Sequence, residues 1–465
     1  MISNGSIIAC ATGAPSGAVA LLRLSGADLW SVFCPTFKNR NGNPIEDPKA
    51  GKAYVGSIFK GEQWIDEVVL TYFRAPHSFT GEDVIEIGCH ASPYIIQQLI
   101  DLYTSLGIGL AEPGEFTLRA YLNKKMDLAQ AEAVADLIAS ESAAAHQIAQ
   151  NQMRGGYSSH MQELRQELLD FTSLLTLELD FAEEDVAFAD RTAFLELIQK
   201  IKKHLHTLID SFSYGNALKK GIPIALVGKP NAGKSSLLNA LLEEDRALVT
   251  PVAGTTRDTI EDSLVIDGFP FRLIDTAGLR ETDDLVEALG VERAKKELKK
   301  AQIVLLVYDP GDTTAAELSR LYQESHSEDR RLILIENKID LNSTETRQKF
   351  QESLGPINLS PTQSLAISIK SSEGLNALKQ TLVEVAQGQQ HKFGDTVVSS
   401  ARHTHALKEA LAALEQVEIG FRDGVPTDLI AIDLNVALDA LGSITGAFTT
   451  DELLGNIFAN FCIGK

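Results

Sequence analysis

Eight residues near the middle of the chain, Gly228-Lys229-Pro230-Asn231-Ala232-Gly233-Lys234-Ser235, leave little freedom in what can be built around them. They follow an apolar run, Ile224-Ala225-Leu226-Val227, and open a helical stretch. The pattern G-x-x-x-x-G-K-S between a strand and a helix is a phosphate-binding loop. Its glycines let backbone N–H groups turn inward on a phosphate at a helix N-terminus. Lys234 reaches the β- and γ-phosphates, Ser235 holds Mg²⁺, and Asn231, Ala232, Gly233 and Ser236 complete the cradle. Such a loop requires a parallel sheet, and further strands follow at Phe271-Arg272-Leu273-Ile274, Ile303-Val304-Leu305-Leu306-Val307 and Leu332-Ile333-Leu334-Ile335, alternating with polar helices. Residues 218–387 therefore predict an inserted α/β P-loop domain with a doubly wound parallel sheet.

Two later motifs choose the base. Asp275-Thr276-Ala277-Gly278 supplies an aspartate for water-bridged Mg²⁺ and a glycine that senses the γ-phosphate. Asn337-Lys338-Ile339-Asp340 places a carboxylate that accepts from both N1–H and N2–H₂ of guanine, donors that adenine does not offer together. Ser368-Ile369-Lys370 stands where a second base-contacting loop is expected. GTP with Mg²⁺ is the nucleotide these motifs read. Between the phosphate loop and the D-T-A-G strand, Thr250-Pro251-Val252-Ala253-Gly254-Thr255-Thr256 is the expected switch, with Thr256 capping Mg²⁺ once the γ-phosphate orders it. The position after Gly278, where Ras-type proteins orient water with Gln, holds Leu279. Leucine cannot orient water, so the catalytic group comes from elsewhere in the chain or from a partner; the acidic run Glu281–Glu287 is nearby.

Around this domain the texture differs. Residues 1–120 mix short β-like runs (Ala18–Leu24, Glu67–Phe73, Val84–Ile87) with turns and predict a small α+β domain. Residues 121–217 are Ala- and Leu-rich with helical period, and Leu164, Leu168, Phe171, Leu175 and Leu179 form a core stripe. Helical texture returns over 388–465, a stretch too short to stand alone, so the two segments are expected to pair as a discontinuous all-α bundle. The four cysteines, Cys10, Cys34, Cys89 and Cys462, lack metal-ligand spacing, and adjacent Cys89 and His90 on a strand point to opposite faces. No run of eighteen apolar residues exists and the first residues carry no secretory pattern, so a cytoplasmic protein with no membrane partner is expected. A net charge of −21 repels phosphate backbones, and any positive field for RNA must come from a local patch or a partner. The C-terminal Phe461-Cys462-Ile463-Gly464-Lys465 puts a thiol at a prenylation spacing, but Lys465 is not a residue such a box ends in; an apolar tail in which Cys462 packs is expected.

Taken together, G-K-P-N-A-G-K-S-S, G-T-T-R-D, D-T-A-G-L-R-E and the terminal F-C-I-G-K resemble the MnmE (TrmE) family of tRNA modification GTPases. Arg23-Leu24-Ser25-Gly26, Ser78–Glu86, Pro113–Asn123 and Asp127–Val134 extend the resemblance over essentially the whole chain. It departs at Ala14-Pro15-Ser16-Gly17, which lacks the basic or glycine-rich turn usual before Arg23, at Ala91, where glycine is common, and at Ser443, where Glu is typical. The resemblance implies a homodimer joined through N-terminal domains that bind a tetrahydrofolate derivative (5-formyl or methylene) as one-carbon donor. It also implies an FAD-containing MnmG-type partner, a heterotetramer, and an aminomethyl-type group placed on C5 of the wobble uridine of certain tRNAs. Hydrolysis in the family depends on K⁺, for which the matching positions are Asn231, Thr250, Val252 and Thr255, and its water-orienting carboxylate falls on Glu287. Its folate residues match Arg23, Glu86, Lys125 and Lys465, the last bringing the tail toward the folate pocket. The other class considered is a regulatory or ribosome-assembly GTPase without modification chemistry; basic RNA-binding appendages would mark it, and this acidic chain shows none.

Overall fold

The computed structural model describes residues 5–12, 17–180, 191–245, 263–274, 298–327, 330–354, 363–393, 397–459, 461–462 and 464. The chain divides into two compact units: Met1–Ala139, Gln152–Phe194 and Ala413–Lys465 form one, and Ser140–Asn151 with Leu195–Ala412 form the other.

The first unit is built on β1 (Ile7–Cys10), β2 (Val19–Gly26), β3 (Phe37–Asn39), β4 (Ala53–Lys60), β5 (Gln63–Phe73), β6 (Asp83–His90) and β7 (Gly109–Leu110). They join in the order β3-β4-β5-β6-β2-β1-β7, antiparallel except for the short β1–β7 pair. Side chains alternate between faces along each strand. One face sends Leu22, Leu24, Ile85, Ile87, Leu70 and Tyr72 into a core shared with α1 (Leu29–Phe33) and α2 (Pro93–Ser105). The other face is covered only in part: Ile7 and Ala9 pack there with Phe116 and Phe79, Arg23 and Glu86 stand opposite each other in register, and Val19, Val55 and Val69 are exposed.

Beyond the sheet come α3 (Glu115–Leu122), α4 (Leu128–Ile138), α5 (Ala143–Met153), α6 (Gly156–Asp180) and α7 (Arg191–Lys220). Asp127 caps α4 in a reciprocal capping box with Gln130. On α6, Leu164, Leu168 and Leu175 of the expected stripe are buried, as a 3.6-residue period requires. Inside this unit Phe171 stacks on Phe194, with centroids 3.9 Å apart. The two units cut across the helical texture, because α7 is 30 residues long and all but its first turn belongs with the second unit.

The second unit contains β8 (Ile222–Val227), α8 (Lys234–Asp245), β9 (Ser263–Ile266), β10 (Phe269–Ile274), β11 (Ile303–Tyr308), α9 (Ala315–Ser325), β12 (Arg331–Glu336), α10 (Thr344–Leu354), β13 (Gln363–Ala366) and α11 (Leu375–Phe393). The strand order is β13-β12-β11-β8-β10-β9. Five strands are parallel, but β9 pairs antiparallel with β10 through the Asp267-Gly268 turn, so the sheet is mixed rather than wholly parallel. A two-residue connection can only make a hairpin. The central strands are buried on both faces, which is why β11 reads as a continuous apolar run. Helix α11 continues through Gly388 to Phe393, past the expected end of the α/β domain at 387, since one interior glycine costs only about 1 kcal/mol. The chain closes with α12 (Ala401–Asp423), α13 (Thr427–Thr445) and α14 (Asp451–Phe458).

What fastens the first unit is a buried ion cluster. Arg119, its side chain 5% exposed, donates from Nη2 to Glu115 Oε1 at 2.8 Å and to the Gly5 carbonyl at 2.8 Å, and from Nη1 to Glu82 Oε2 at 3.1 Å. Glu82 also accepts from Ser25 Oγ on β2, which is bonded in turn to Thr80. One guanidinium thus ties α3 to the start of β1, to β2 and to the loop before β6. Removing one partner of such a cluster strands the remaining charges without solvent, so Arg119→Ala is expected to destabilise this unit by about 3–5 kcal/mol. Both tryptophans, Trp30 on α1 and Trp64 on β5, lie in this unit, so denaturant unfolding followed by their fluorescence reads it. An unchanged midpoint would show the cluster to be dispensable.

Candidate functional site

The phosphate loop joins β8 to α8, and its geometry rests on what its glycines lack. A Cβ at Gly228 would lie 2.2 Å from the Val307 carbonyl oxygen on β11. At Gly233, with φ of +104°, a Cβ would lie 2.1 Å from Asn337 Nδ2. The space this leaves is used: Asn337 Nδ2 donates to the Ala232 carbonyl at 2.8 Å. The first residue of the base-reading motif is thereby locked to the loop that cradles phosphate. Asn231 adopts the left-handed region, φ 61°, and is exposed. Lys234 Nζ donates to the carbonyls of Gly228 and Lys229 at 2.7 and 2.6 Å, and burial lowers its pKa from the ordinary lysine value. An anion in the loop would relieve that penalty by restoring a counter-charge. Ser235 and Ser236, in the first turn of α8, are exposed.

The residues expected to read the base stand at the C-terminal ends of β12 and β13, where ligands bind in open α/β sheets. Asn337 is 2% exposed, and its Oδ1 has no hydrogen-bond partner among the described residues, an acceptor set aside for a ligand donor. Asp340 Oδ1 accepts from Ser368 Oγ at 2.7 Å, which fixes the carboxylate plane. Lys338, in the left-handed region at φ 60°, donates to Asp309 Oδ2 at 2.9 Å. Burial pushes the Asp309 carboxyl upward, but hydrogen bonds from Asn342, Lys338 and the Gly311 N–H outweigh it and hold it below the usual carboxylate range. Asp309 escaped the motif reading. The available clue was an Asp-Pro-Gly-Asp turn immediately after a buried parallel strand.

Sequence reasoning thus finds Asn231, Ala232, Gly233, Lys234, Ser235, Ser236, Asn337, Lys338 and Asp340 on two loops that meet. The other expected nucleotide residues, Thr250–Thr256 and Asp275–Gly278, and the carboxylate Glu287, lie outside the described residues, as does Lys465.

In the first unit, Arg23 and Glu86 meet on the partly covered sheet face, where the guanidinium donates from Nε and Nη2 to Glu86 Oε1 at 3.0 and 2.7 Å. Arg23 also lies 5.6 Å from the Phe79 ring centroid and 5.8 Å from that of Phe116. Lys125 packs its stem near Gly81 and donates Nζ to the Pro76 carbonyl at 2.9 Å, so Arg23 and Lys125 touch the same 76–81 loop. Cys89 and His90 do face opposite ways: the thiol is buried, and burial, with the Asp66 and Cys10 charges adding, pushes its pKa up to about 12. His90 is exposed and bonds through Nδ1 to the buried Asp66 carboxylate at 2.8 Å, a pair that sequence spacing does not reveal. The C-terminal tail folds back on this unit. The Gly114 N–H donates to the Cys462 carbonyl at 3.4 Å, and a Cβ on Gly464 would come within 2.7 Å of the Cys10 carbonyl. Cys462 itself is exposed, against the expectation that it packs, because its backbone rather than its side chain makes the contact.

Two family models match this chain: the MnmE helical domain over residues 128–462, and the GTP-binding protein TrmE N-terminus over residues 6–125. The tRNA modification GTPase MnmE of Christiangramia forsetii is 47% identical, with 99% of each chain covered. That of Porphyromonas gingivalis is also 47% identical, over 100% of this chain and 98% of its own. Among solved structures, a variant of Aquifex aeolicus Era bound to GDP.AlF4- is 24% identical over 41% of this chain and 66% of its own, with a TM-score of 0.27, too low to bear on the argument.

The guanine-reading geometry makes a direct prediction. Asp340→Asn exchanges one of two acceptors for a donor, so one charge-assisted hydrogen bond of about 1.5–3 kcal/mol becomes a donor–donor clash and the other loses its charge. GTP affinity should fall at least about a hundredfold, while a xanthine nucleotide, which presents a C2 carbonyl, should gain. Competition against a fluorescent guanine nucleotide measures both, and unaltered base preference would remove Asp340 from the site.

Proposed function

The chain belongs to the MnmE (TrmE) family and is a GTP-hydrolysing enzyme of tRNA modification, and we propose how its residues divide that work. The observation that supports the nucleotide half is the Asn337–Ala232 hydrogen bond, with the unpartnered Asn337 Oδ1 beside the Ser368-braced Asp340. In this reading Asn337 and Asp340 hold guanine, and Lys338 brackets it from Asp309. The backbone of 231–236 and 250–256 wraps the phosphates, with 275–278 sensing the γ-phosphate. Lys234 exchanges the carbonyls of Gly228 and Lys229 for phosphate oxygens. The exposed Ser235 hydroxyl, with Thr256, fits Mg²⁺, which when bound neutralises charge between the β- and γ-phosphates. Asn231, exposed in its left-handed turn, is positioned for K⁺ together with Thr250, Val252 and Thr255; the cation supplies the charge that an arginine finger brings in other GTPases. Glu287 orients the attacking water, a task Leu279 cannot perform.

The second half lies in residues 1–120, with the G domain at 218–387 and helical segments at 121–217 and 388–465. Glu86 gives only Oε1 to Arg23, and among the described residues nothing bonds Oε2, which leaves a part-buried acceptor suited to a pterin donor. Arg23, Lys125 and Lys465 then meet the carbonyl and carboxylates of a tetrahydrofolate derivative, the one-carbon donor for C5 of the wobble uridine. The same face, with exposed Val19, Val55 and Val69, supports pairing of two copies through this domain. An FAD-containing protein completes the assembly as a heterotetramer with the tRNA.

Two experiments test this division. Glu287→Ala should keep GTP affinity and lose hydrolysis by about 10²–10⁴-fold, and Na⁺ in place of K⁺ should depress wild-type turnover. Full hydrolysis in the variant, or indifference to the cation, would move the catalytic group elsewhere. Glu86→Ala should abolish saturable tetrahydrofolate binding in equilibrium dialysis and leave GTP hydrolysis as it is. If the wild type binds no folate, the one-carbon reading fails.

A further inference from the structure

Helix α13 has two apolar faces, and only one of them is covered. Ile430, Leu434, Ala437, Leu438, Leu441 and Ile444 are buried. On the outer side Leu429, Ile432 and Val436 are 51%, 58% and 40% exposed, at i, i+3 and i+7. They form a stripe about 10 Å long on one side of the helix. A surface helix ordinarily turns a polar face to water, and an apolar stripe rimmed by charge marks a contact surface. The rim here has one sign. Asp428, Asp433 and Asp439 flank the stripe, the helix contains no Lys or Arg, and none of the three aspartates forms an ion pair among the described residues. In the chain just before α13, Arg422 at the end of α12 is already paired to Glu418 at 2.9 Å.

This charge pattern selects among occupants. A second copy docked helix to helix would set aspartates against aspartates, and RNA or an anionic membrane would be repelled. A basic protein surface with an apolar centre is complementary. The whole chain supplies the reason for one to exist: with 63 acidic and 42 basic residues it acts in tRNA modification, and gripping a phosphate backbone requires a positive field it does not carry overall. We propose that the Leu429–Ile432–Val436 face of α13 is the docking site for the basic, tRNA-binding partner that works with this enzyme. The inference rests on the reading that an FAD-containing protein is that partner.

The test uses full-length chain and the purified flavoprotein in a titration at low and moderate salt. Ile432→Ser with Val436→Ser should weaken the complex tenfold or more, with GTP hydrolysis unchanged as the check on folding. Asp428→Asn, Asp433→Asn and Asp439→Asn together should slow association and flatten its salt dependence. Wild-type affinity and salt dependence in both variants would overturn the assignment while leaving the flavoprotein partnership intact. Loss of self-association in the Ser variant, seen by light scattering, would assign the face to a second copy and also overturn it. Absence of any wild-type complex with the flavoprotein would sink the partnership and this face's role with it.

Discussion

A single buried hydrogen bond, from the Asn337 amide to the Ala232 carbonyl, sets the geometry of the nucleotide site. It joins the expected phosphate loop to the expected base-reading loop, segments more than a hundred residues apart. The bond exists because position 233 has no Cβ; any other residue would put a carbon where the amide nitrogen now sits. Around it the sheet contributes rigidity: β8, β11 and β12 are parallel, buried and apolar, so their C-terminal ends are fixed points from which short loops project. Asp309 extends the same logic, holding Lys338 from the neighbouring strand end.

The first unit solves a different problem by similar means. An antiparallel sheet with one covered face needs its loops and first helix pinned, and Arg119 does this from within, at the desolvation cost of three charges. The return is a face braced along one side by α3, on which Arg23 and Glu86 are set opposite each other by strand register rather than by loop conformation. A site built on strands keeps its spacing when the surrounding loops move.

Much of this was readable in the residues. The strands β2, β5, β6, β8, β10, β11 and β12 all begin or end within a few residues of their apolar runs. The phosphate loop and N-K-I-D were legible because their chemistry demands particular residue types at fixed spacing. What escaped depends on partners distant in sequence. Asp66 and His90 are 24 positions apart, and only strand pairing brings them together. The antiparallel β9 was hidden because a four-residue strand, Ser263–Ile266, carries too little periodicity to show its direction. Cys462 was misjudged because an apolar neighbourhood in sequence does not say which of a tail's atoms, backbone or side chain, makes the contact.

The docking of the C-terminal tail has a consequence for how the protein is made. Leu454 and Phe458 share a core with Leu128 and Ala131, and Gly464 lies against the carbonyl of Cys10. Between Ala131 and Leu454 the ribosome must produce the entire nucleotide-binding unit. That unit, whose residues end at Ala412, is therefore complete before the first unit receives its last helix. During this interval Leu128 and Ala131, along with the groove that later accepts the tail, stand open to water. The order in which the two units are completed is therefore the reverse of the order in which they begin, and the first unit closes only when the nucleotide site upstream of its last segment has been synthesised.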